Sequence, residues 1–201
     1  DFTKLRPLGV PSALRRITAV LILMNYRGDF AKYLLPHNYA IGVNGGIDVI
    51  THTIRLGVDK FITQKERNKE LPTRALVSLD ISNMFNAISR QKLREIIKRE
   101  FPELEAFADL LYETEEATGV KMADGSWTYI PVREGFSEGC PMSPVFAPMV
   151  LGEILKKLDQ EFRERAAHRK DQNSMDDNKG GVPIILAYVD DVNCLLPLED
   201  V

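Results

Sequence analysis

Two adjacent aspartates, Asp190 and Asp191, stand inside the apolar stretch ILAYVDDVNCLLP at residues 185–197. Carboxylates that are buried close together repel each other unless positive charge offsets their own. A third aspartate, Asp80, ends the apolar stretch ALVSLD. If both stretches are neighbouring strands of one sheet, the three carboxylates meet at one edge. Hard oxygen ligands of this kind suit Mg²⁺ or Mn²⁺.

A second aspartate pair in the chain is a control for this interpretation. Asp176 and Asp177 lie in the polar stretch RKDQNSMDDNKGG, residues 169–181, which predicts a mobile loop where solvation explains the pair. Residues 184–196 instead predict a β-hairpin whose tight turn contains Asp190 and Asp191. For Asp80 alone, a capping or turn aspartate is the simpler explanation. The combination favours a site for two metal ions, which would stabilise the oxygens of a phosphoryl displacement.

Helices and one further hairpin are predicted around these strands. Apolar residues at 17, 20, 21 and 24 predict a first helix with one buried face, capped by Ser12. An amphipathic helix follows Gly45 and Gly46, and Asp124-Gly125 predicts a hairpin turn. Further helices are predicted over residues 89–101, 102–117 and 143–169.

Composition limits the class of protein. The 201 residues suffice for one well-packed domain or two small lobes with a shared core. The net charge of −3 argues against simple electrostatic adhesion to nucleic acid. Its distribution is uneven, because residues 1–75 contain 12 Lys or Arg against 6 Asp or Glu, and residues 76–201 contain 14 against 23. We therefore expect a basic lobe for phosphates and an acidic lobe for metal.

The compartment is predicted from what the sequence lacks. It has no long apolar span and no signal-peptide pattern, which predicts a soluble protein that is neither secreted nor in a membrane. Cys140 and Cys194 fit neither a zinc site nor a disulfide framework, which favours a reducing intracellular compartment, nuclear or cytoplasmic. Because the chain starts at Asp1, we expect a piece of a longer protein.

Five segments resemble the motifs of reverse transcriptases, in the family's order and from about residue 4 to residue 196. AYVDDVN resembles the YxDD motif, LVSLDISNMFNAISRQKL the first palm motif, and EGFSEGCPMSPVFAPMVL the motif between them. LRPLGVPSALRRI and NYAIGVNGGIDVITHTI are similar to the fingers motifs of retrotransposons lacking long terminal repeats and of group II intron relatives. The resemblance implies an α+β right-hand polymerase: a fingers subdomain at 1–75, then a palm at 76–201, an antiparallel sheet packed on helices. We expect no thumb within these 201 residues, and we therefore expect the isolated segment to be inactive.

The resemblance also implies roles for single residues. Asp80 and Asp190 would bind two Mg²⁺ (or Mn²⁺) ions, with the Ile81 carbonyl as a further ligand. Asp191 would support the cluster and contact the primer end. Phe85 would lie under the sugar of the incoming nucleotide and exclude a 2′-hydroxyl. The alternative for Phe85 is a core aromatic at the start of a helix.

The resemblance also implies which residues would contact the phosphates and the template. Lys4 and Arg6 would face the triphosphate, although surface solvation also explains them. Gly139 and Pro141 would shape the turn that supports the template base and the nucleotide. Glu138 stands where the family usually has Gln, and its role stays open.

The function implied is template-directed addition of dNTPs to a primer 3′-hydroxyl. Its partners would be an RNA template, a DNA or RNA primer, dNTPs and further domains of a parent polyprotein. An RNA-dependent RNA polymerase is the first alternative, and it typically has a smaller or polar residue at position 85. An inactive, domesticated nucleic-acid-binding relic is the second, favoured by Glu138 and the absent thumb.

Overall fold

The computed structural model describes residues 9, 11–68, 74–112, 116–172 and 183–201. Lys4, Arg6 and most of the predicted mobile loop lie outside these ranges. The helices are α1 (Ala13–Leu34), α2 (Gly46–Asn68), α3 (Met84–Ala87), α4 (Arg90–Glu100), α5 (Glu105–Tyr112) and α6 (Ser143–Gln172). The strands are β1 (Arg74–Asp80), β2 (Glu116–Lys121), β3 (Trp127–Val132), β4 (Ile184–Tyr188) and β5 (Asp191–Pro197). Helices with antiparallel strands confirm the predicted α+β class.

The sheet that contains the aspartates has three antiparallel strands in the order β1-β5-β4. The two apolar stretches are therefore neighbouring strands, which was the condition for the carboxylates to meet at one edge. One detail of the hairpin was wrong, because its turn consists of Val189 and Asp190, and Asp191 is already the first residue of β5. The pairing of Asp191 with Tyr188 on β4 explains the difference, since a two-residue turn is the shortest hairpin connection.

The chain divides into two compact units, each discontinuous in sequence. One unit comprises Asp1–Tyr26 and Ser82–Val150, and its core includes the rings of Tyr112, Phe136 and Phe146, with centroids 4.9–6.2 Å apart. The other comprises Arg27–Ile81 and Leu151–Val201 and contains the three-stranded sheet. The predicted boundary between fingers and palm at residues 75 and 76 stays a prediction.

Helix α6 confirms the helix predicted from residue 143 and extends it. Its first turns are buried through Val145, Phe146 and Met149, and its later turns contain surface pairs such as Arg163 with Asp159, 2.8 Å apart. The helix continues to Gln172, so residues 169–172 of the predicted loop are helical. Glu, Arg, Lys and Ala, which are frequent in the later turns, are strong helix formers and extend the helix into the polar stretch.

Two predictions about helices were wrong. The face of α1 at residues 17, 20, 21 and 24 is 42–71% exposed, while Ala19, Phe30 and Leu34 are buried. Since ITAVLILM is apolar on every side, its periodicity does not select the covered face. Helix α5 ends at Tyr112 rather than near residue 117, because pairing of β2 with β3 overrides the helix propensity of Glu and Ala.

None of the helices in the described part of the chain is both long enough and apolar enough to cross a bilayer.

Candidate active site

The pairing register sets Asp80, the last residue of β1, directly opposite Asp191, the first residue of β5. Residues opposed in this way point to the same face of a sheet, with Cβ atoms about 4.5–5.5 Å apart. Both side chains are exposed, and Asp190 is half-buried in the adjoining turn. Two like charges directly opposed destabilise a sheet, so this end of the sheet favours a bound cation.

The next pair on the same face fixes the register of these strands. Ser78 lies opposite Asn193, and its Oγ donates a hydrogen bond to Asn193 Oδ1 at 2.7 Å. On the reverse face Val192 and Cys194 are buried. Burial raises the pKa of the Cys194 thiol, which keeps it protonated and unsuited to act as a nucleophile. The chemistry available at this end of the sheet is therefore that of the carboxylates.

Asn38 holds the turn that contains Asp190, and sequence reasoning missed it. Its side chain is fully buried, and its Nδ2 donates to the Val189 carbonyl at 3.1 Å. The backbone beside it pairs with β4, because Ala187 N donates to His37 O at 2.6 Å and Tyr39 N donates to Ala187 O at 3.0 Å. Val189 has φ of 56°, a left-handed conformation that is costly for a β-branched residue. This partly buried hydrogen bond to the carbonyl of the strained residue stabilises the turn.

Replacing Asn38 by alanine is expected to lower the free energy of unfolding by roughly 1–3 kcal/mol, because the Val189 carbonyl loses a buried partner. Denaturant unfolding of the 201-residue chain measures the loss. The matched control is Asn25→Ala, since Asn25 Nδ2 also donates to a carbonyl, that of Leu21 at 2.8 Å, but on an exposed helix surface. Equal losses in the two variants would show that Asn38 has no special role in the turn.

The carboxylates do not form a preformed metal cage. In the ranges that the structure describes, no three His, Cys, Asp or Glu side chains are grouped as metal ligands. The arrangement is an in-register pair, Asp80 and Asp191, with Asp190 one residue away. Mg²⁺ in proteins keeps several waters and is held by one or two carboxylates together with substrate phosphates. The exposed pair fits such an ion in number and type of ligand, and the ligand set that includes Ile81 stays a prediction.

Phe85 belongs to the other unit, where the short helix α3 contains it. It is half-buried rather than enclosed in the core. Its carbonyl accepts a hydrogen bond from Phe136 N at 2.6 Å, and Gly135 N donates to Ile88 O at 2.9 Å. Gly135 has φ of 77° and lies against the backbone of Asn86. Two hydrogen bonds and one close backbone contact thus position the segment that contains Phe85.

Arg90, at the start of α4, is a second residue that sequence reasoning missed. It is buried, its Nε donates to Gly135 O at 2.8 Å, and its guanidinium lies 5.1 Å from the centroid of the Tyr112 ring. Its backbone N donates to Glu134 Oε2 at 3.1 Å. Arg90 therefore anchors the segment that leads from β3 to the predicted nucleotide-binding turn.

The turn predicted to support the nucleotide precedes α6. Gly139 N donates to Gly9 O at 3.1 Å, and Ser143 Oγ donates to Ser137 O at 2.6 Å. Glu138, Gly139 and Pro141 are half-buried. Phe85 and this turn belong to one unit and the carboxylates to the other, so each unit assembles one group of the predicted site residues.

An antiparallel sheet with opposed aspartates, in a chain of mixed helices and strands, has the architecture of a reverse transcriptase-like domain. No known family model matches the chain. Over 90 residues it is 26% identical to the retrovirus-related Pol polyprotein of the type-2 retrotransposable element R2DM of Drosophila melanogaster, a match that covers 43% of this chain and 8% of the polyprotein.

The same class is found among solved structures. Telomerase from Candida tropicalis, in complex with a fragment of telomeric RNA, superposes with a TM-score of 0.58 at 13% identity, over 94% of this chain and 29% of that one. Telomerase from Candida albicans superposes with a TM-score of 0.51 at 11% identity, over 93% of this chain and 30% of that one. The reverse transcriptase-like fold is therefore confirmed. The chain spans less than a third of these relatives' length.

Proposed function

We propose that this chain is the fingers and palm of a retroelement reverse transcriptase, which adds deoxynucleotides to a primer 3′-hydroxyl as directed by an RNA template. The observation that supports it best is the register that sets Asp80 opposite Asp191, beside Asp190 in the turn. The likeness to the Drosophila polyprotein and to telomerase supports the same class.

The residues at this end of the sheet would have separate roles in phosphoryl transfer. Mg²⁺ or Mn²⁺ ions held by Asp80 and Asp190, with the Ile81 carbonyl, would offset the negative charge that develops on the transferred phosphoryl group. Asp191 supports the cluster beside the primer end. The Ser78–Asn193 hydrogen bond keeps β1 and β5 in register, so that the carboxylates stay level with each other.

The remaining roles belong to the other predicted residues. Lys4 and Arg6 bind the triphosphate as point charge and fork respectively. Gly139 and Pro141 support the template base and the nucleotide. The RNA template, the primer and further domains of a parent polyprotein belong to the same proposal.

Primer extension by a parent protein that contains this segment tests the proposal. We expect extension on an RNA template with dNTPs, dependent on Mg²⁺ or Mn²⁺. Extension with rNTPs alone would contradict it in favour of an RNA-dependent RNA polymerase. Absence of extension together with no metal binding by calorimetry would contradict it in favour of a relic that only binds nucleic acid.

Replacing Phe85 by alanine is expected to raise incorporation of rNTPs relative to dNTPs by about tenfold or more, because the ring no longer excludes a 2′-hydroxyl. Competing rNTP and dNTP in single-nucleotide extension measures the ratio. Phe162→Ala is the matched control, since Phe162 is also half-buried but lies on α6 in the other unit. An unchanged ratio in the Phe85 variant would assign Phe85 to packing alone.

A further inference from the structure

The β2–β3 hairpin presents two exposed surfaces to solvent. On β3 every side chain from Trp127 to Pro131 is exposed, with Trp127 at 59% and Tyr129 at 68%. A two-stranded hairpin on its own is marginally stable in water, and exposed large apolar side chains that lie together mark interaction sites. The hairpin is therefore a candidate binding surface in the unit that does not contain the aspartates.

The aromatic residues share one face, which we name the aromatic face. Trp127 and Tyr129 are two residues apart on β3, and Lys121 and Gly119 lie opposite them on β2. A Cβ atom at Gly119 would lie 3.3 Å from Trp127 Cε3 and 3.4 Å from Tyr129 Cε1, so both rings lie against this glycine. The missing side chain at Gly119 leaves room for both rings, so a ligand on this face would contact the rings rather than the glycine.

Charge and chemistry differ between the two faces. The six residues of the aromatic face include one charge, that of Lys121, and it is positive. They are Ala117, Gly119, Lys121, Trp127, Tyr129 and Pro131. The opposite face has Val120 and Ile130, which are aliphatic and exposed. At the turn, the carboxylate of Asp124 accepts hydrogen bonds from Ser126 N at 2.9 Å and Ser126 Oγ at 2.6 Å, which closes the hairpin.

The chemistry of the rings selects the kind of ligand. The Cα atoms of Trp127 and Tyr129 are about 6.6–6.8 Å apart along the strand, and both rings lean toward Gly119. In a duplex the bases stack on one another, so their faces are not available to protein rings. Unstacked bases of a single strand have available faces, and aromatic side chains with a nearby cation are the usual partners of such bases.

We propose that the aromatic face binds single-stranded RNA, with one base stacked on Trp127, another on Tyr129, and a phosphate close to Lys121. The choice of RNA over DNA rests on the proposed function, whose template is RNA. The stacking surface itself rests only on the hairpin.

Tryptophan fluorescence tests the proposal directly, because Trp127 is the single tryptophan of the 201-residue chain. Titration with a short oligouridylate is expected to quench its emission to saturation. Tyr129→Ala should weaken binding by roughly 5- to 150-fold while leaving the reporter in place. Ile130→Ala, on the aliphatic face, is the matched control and should change affinity by about twofold at most. Lys121→Ala should reduce the slope of log affinity against log salt by about 0.7.

Several outcomes would overturn the proposal. One is the absence of quenching. Another is an equal loss of affinity in Tyr129→Ala and Ile130→Ala, provided that both variants keep the wild-type circular dichroism. A third is tighter binding of single-stranded DNA than of RNA. Concentration-dependent self-association that shifts Trp127 emission without RNA would assign the face to a second copy instead. Binding of the oligouridylate is measured without dNTPs, so it does not depend on polymerisation. Quenching without polymerisation would thus refute the proposed function alone, and polymerisation without quenching would refute this inference alone.

Discussion

Primer extension is expected to fall by about 100- to 1,000-fold when Asp80 is replaced by asparagine in the parent protein. The amide keeps the size of the side chain but removes the negative charge that would hold a metal ion opposite Asp191. Asp190→Asn should have an effect of the same order, because Asp190 is the second proposed ligand. Rates of single-nucleotide addition at saturating dNTP measure both losses.

The control for this experiment comes from the second aspartate pair of the chain. Asp176→Asn removes one carboxylate from an adjacent pair whose neighbours are polar, and it should leave the rate unchanged. If Asp80→Asn extended primers at the wild-type rate, the assignment of the active site would be wrong.

Stability separates a metal-binding role from a structural one. Without metal, Asp80→Asn should raise the free energy of unfolding by roughly 0.2–1 kcal/mol, because two like charges no longer oppose each other across the strands. Mg²⁺ should stabilise the wild-type chain by mass action and the variant much less. A variant that is destabilised in the absence of metal would indicate a structural aspartate instead.

Gly135→Ala is expected to lower the free energy of unfolding by about 2–5 kcal/mol, the largest stability effect that we predict. A Cβ atom there would lie 2.5 Å from the backbone oxygen of Asn86, which cannot move aside as a flexible side chain can. The left-handed φ of 77° adds about 1–2 kcal/mol for a residue with a Cβ, and overpacking adds about 1–3 kcal/mol. Denaturant unfolding followed by circular dichroism measures the sum.

Gly125→Ala is the matched control, because it shares the conformation but not the contact. Gly125 has φ of 85°, and a Cβ atom there would have no neighbour within 4 Å. This variant should lose only the conformational part, about 1–2 kcal/mol. Equal losses at both positions would mean that the Asn86 backbone yields to the added atom, and that the segment holding Phe85 is less firmly fixed than its hydrogen bonds indicate.

The aspartates were predictable from sequence because their signal is local. Asp190 and Asp191 interrupt an apolar stretch, and Asp80 ends another, so the pattern predicted the strands, while their pairing entered only as a condition for the site. The position of the turn was wrong by one residue, since apolar residues on both sides of YVDD leave the pairing of Asp191 undetermined. The pairs Tyr188–Asp191 and Asp80–Asp191 settle it only once the sheet is assembled.

Asn38 and Arg90 had no local signal. Asn38 bonds to the carbonyl of a residue 151 positions later, and Arg90 to one 45 positions later. Neither contact has a sequence spacing that a pattern can reveal. The prediction of the buried face of α1 failed for a different reason. A helix that is apolar all round has no preferred face until its neighbours are known.

The central position of β5 has a consequence for which mutations the site accepts. Its neighbours β1 and β4 pair with it on both sides, so its register is fixed twice. Suppose that one residue within Val192–Pro197 is deleted and the rest of β5 keeps its pairing with β1 and β4. Asp191 would then shift by one position and point to the buried face that Val192 now occupies. A substitution in this strand changes the packing gradually, whereas a change in its length removes the Asp191 carboxylate from the site in a single step. We therefore expect the length of β5 to be more constrained than its composition.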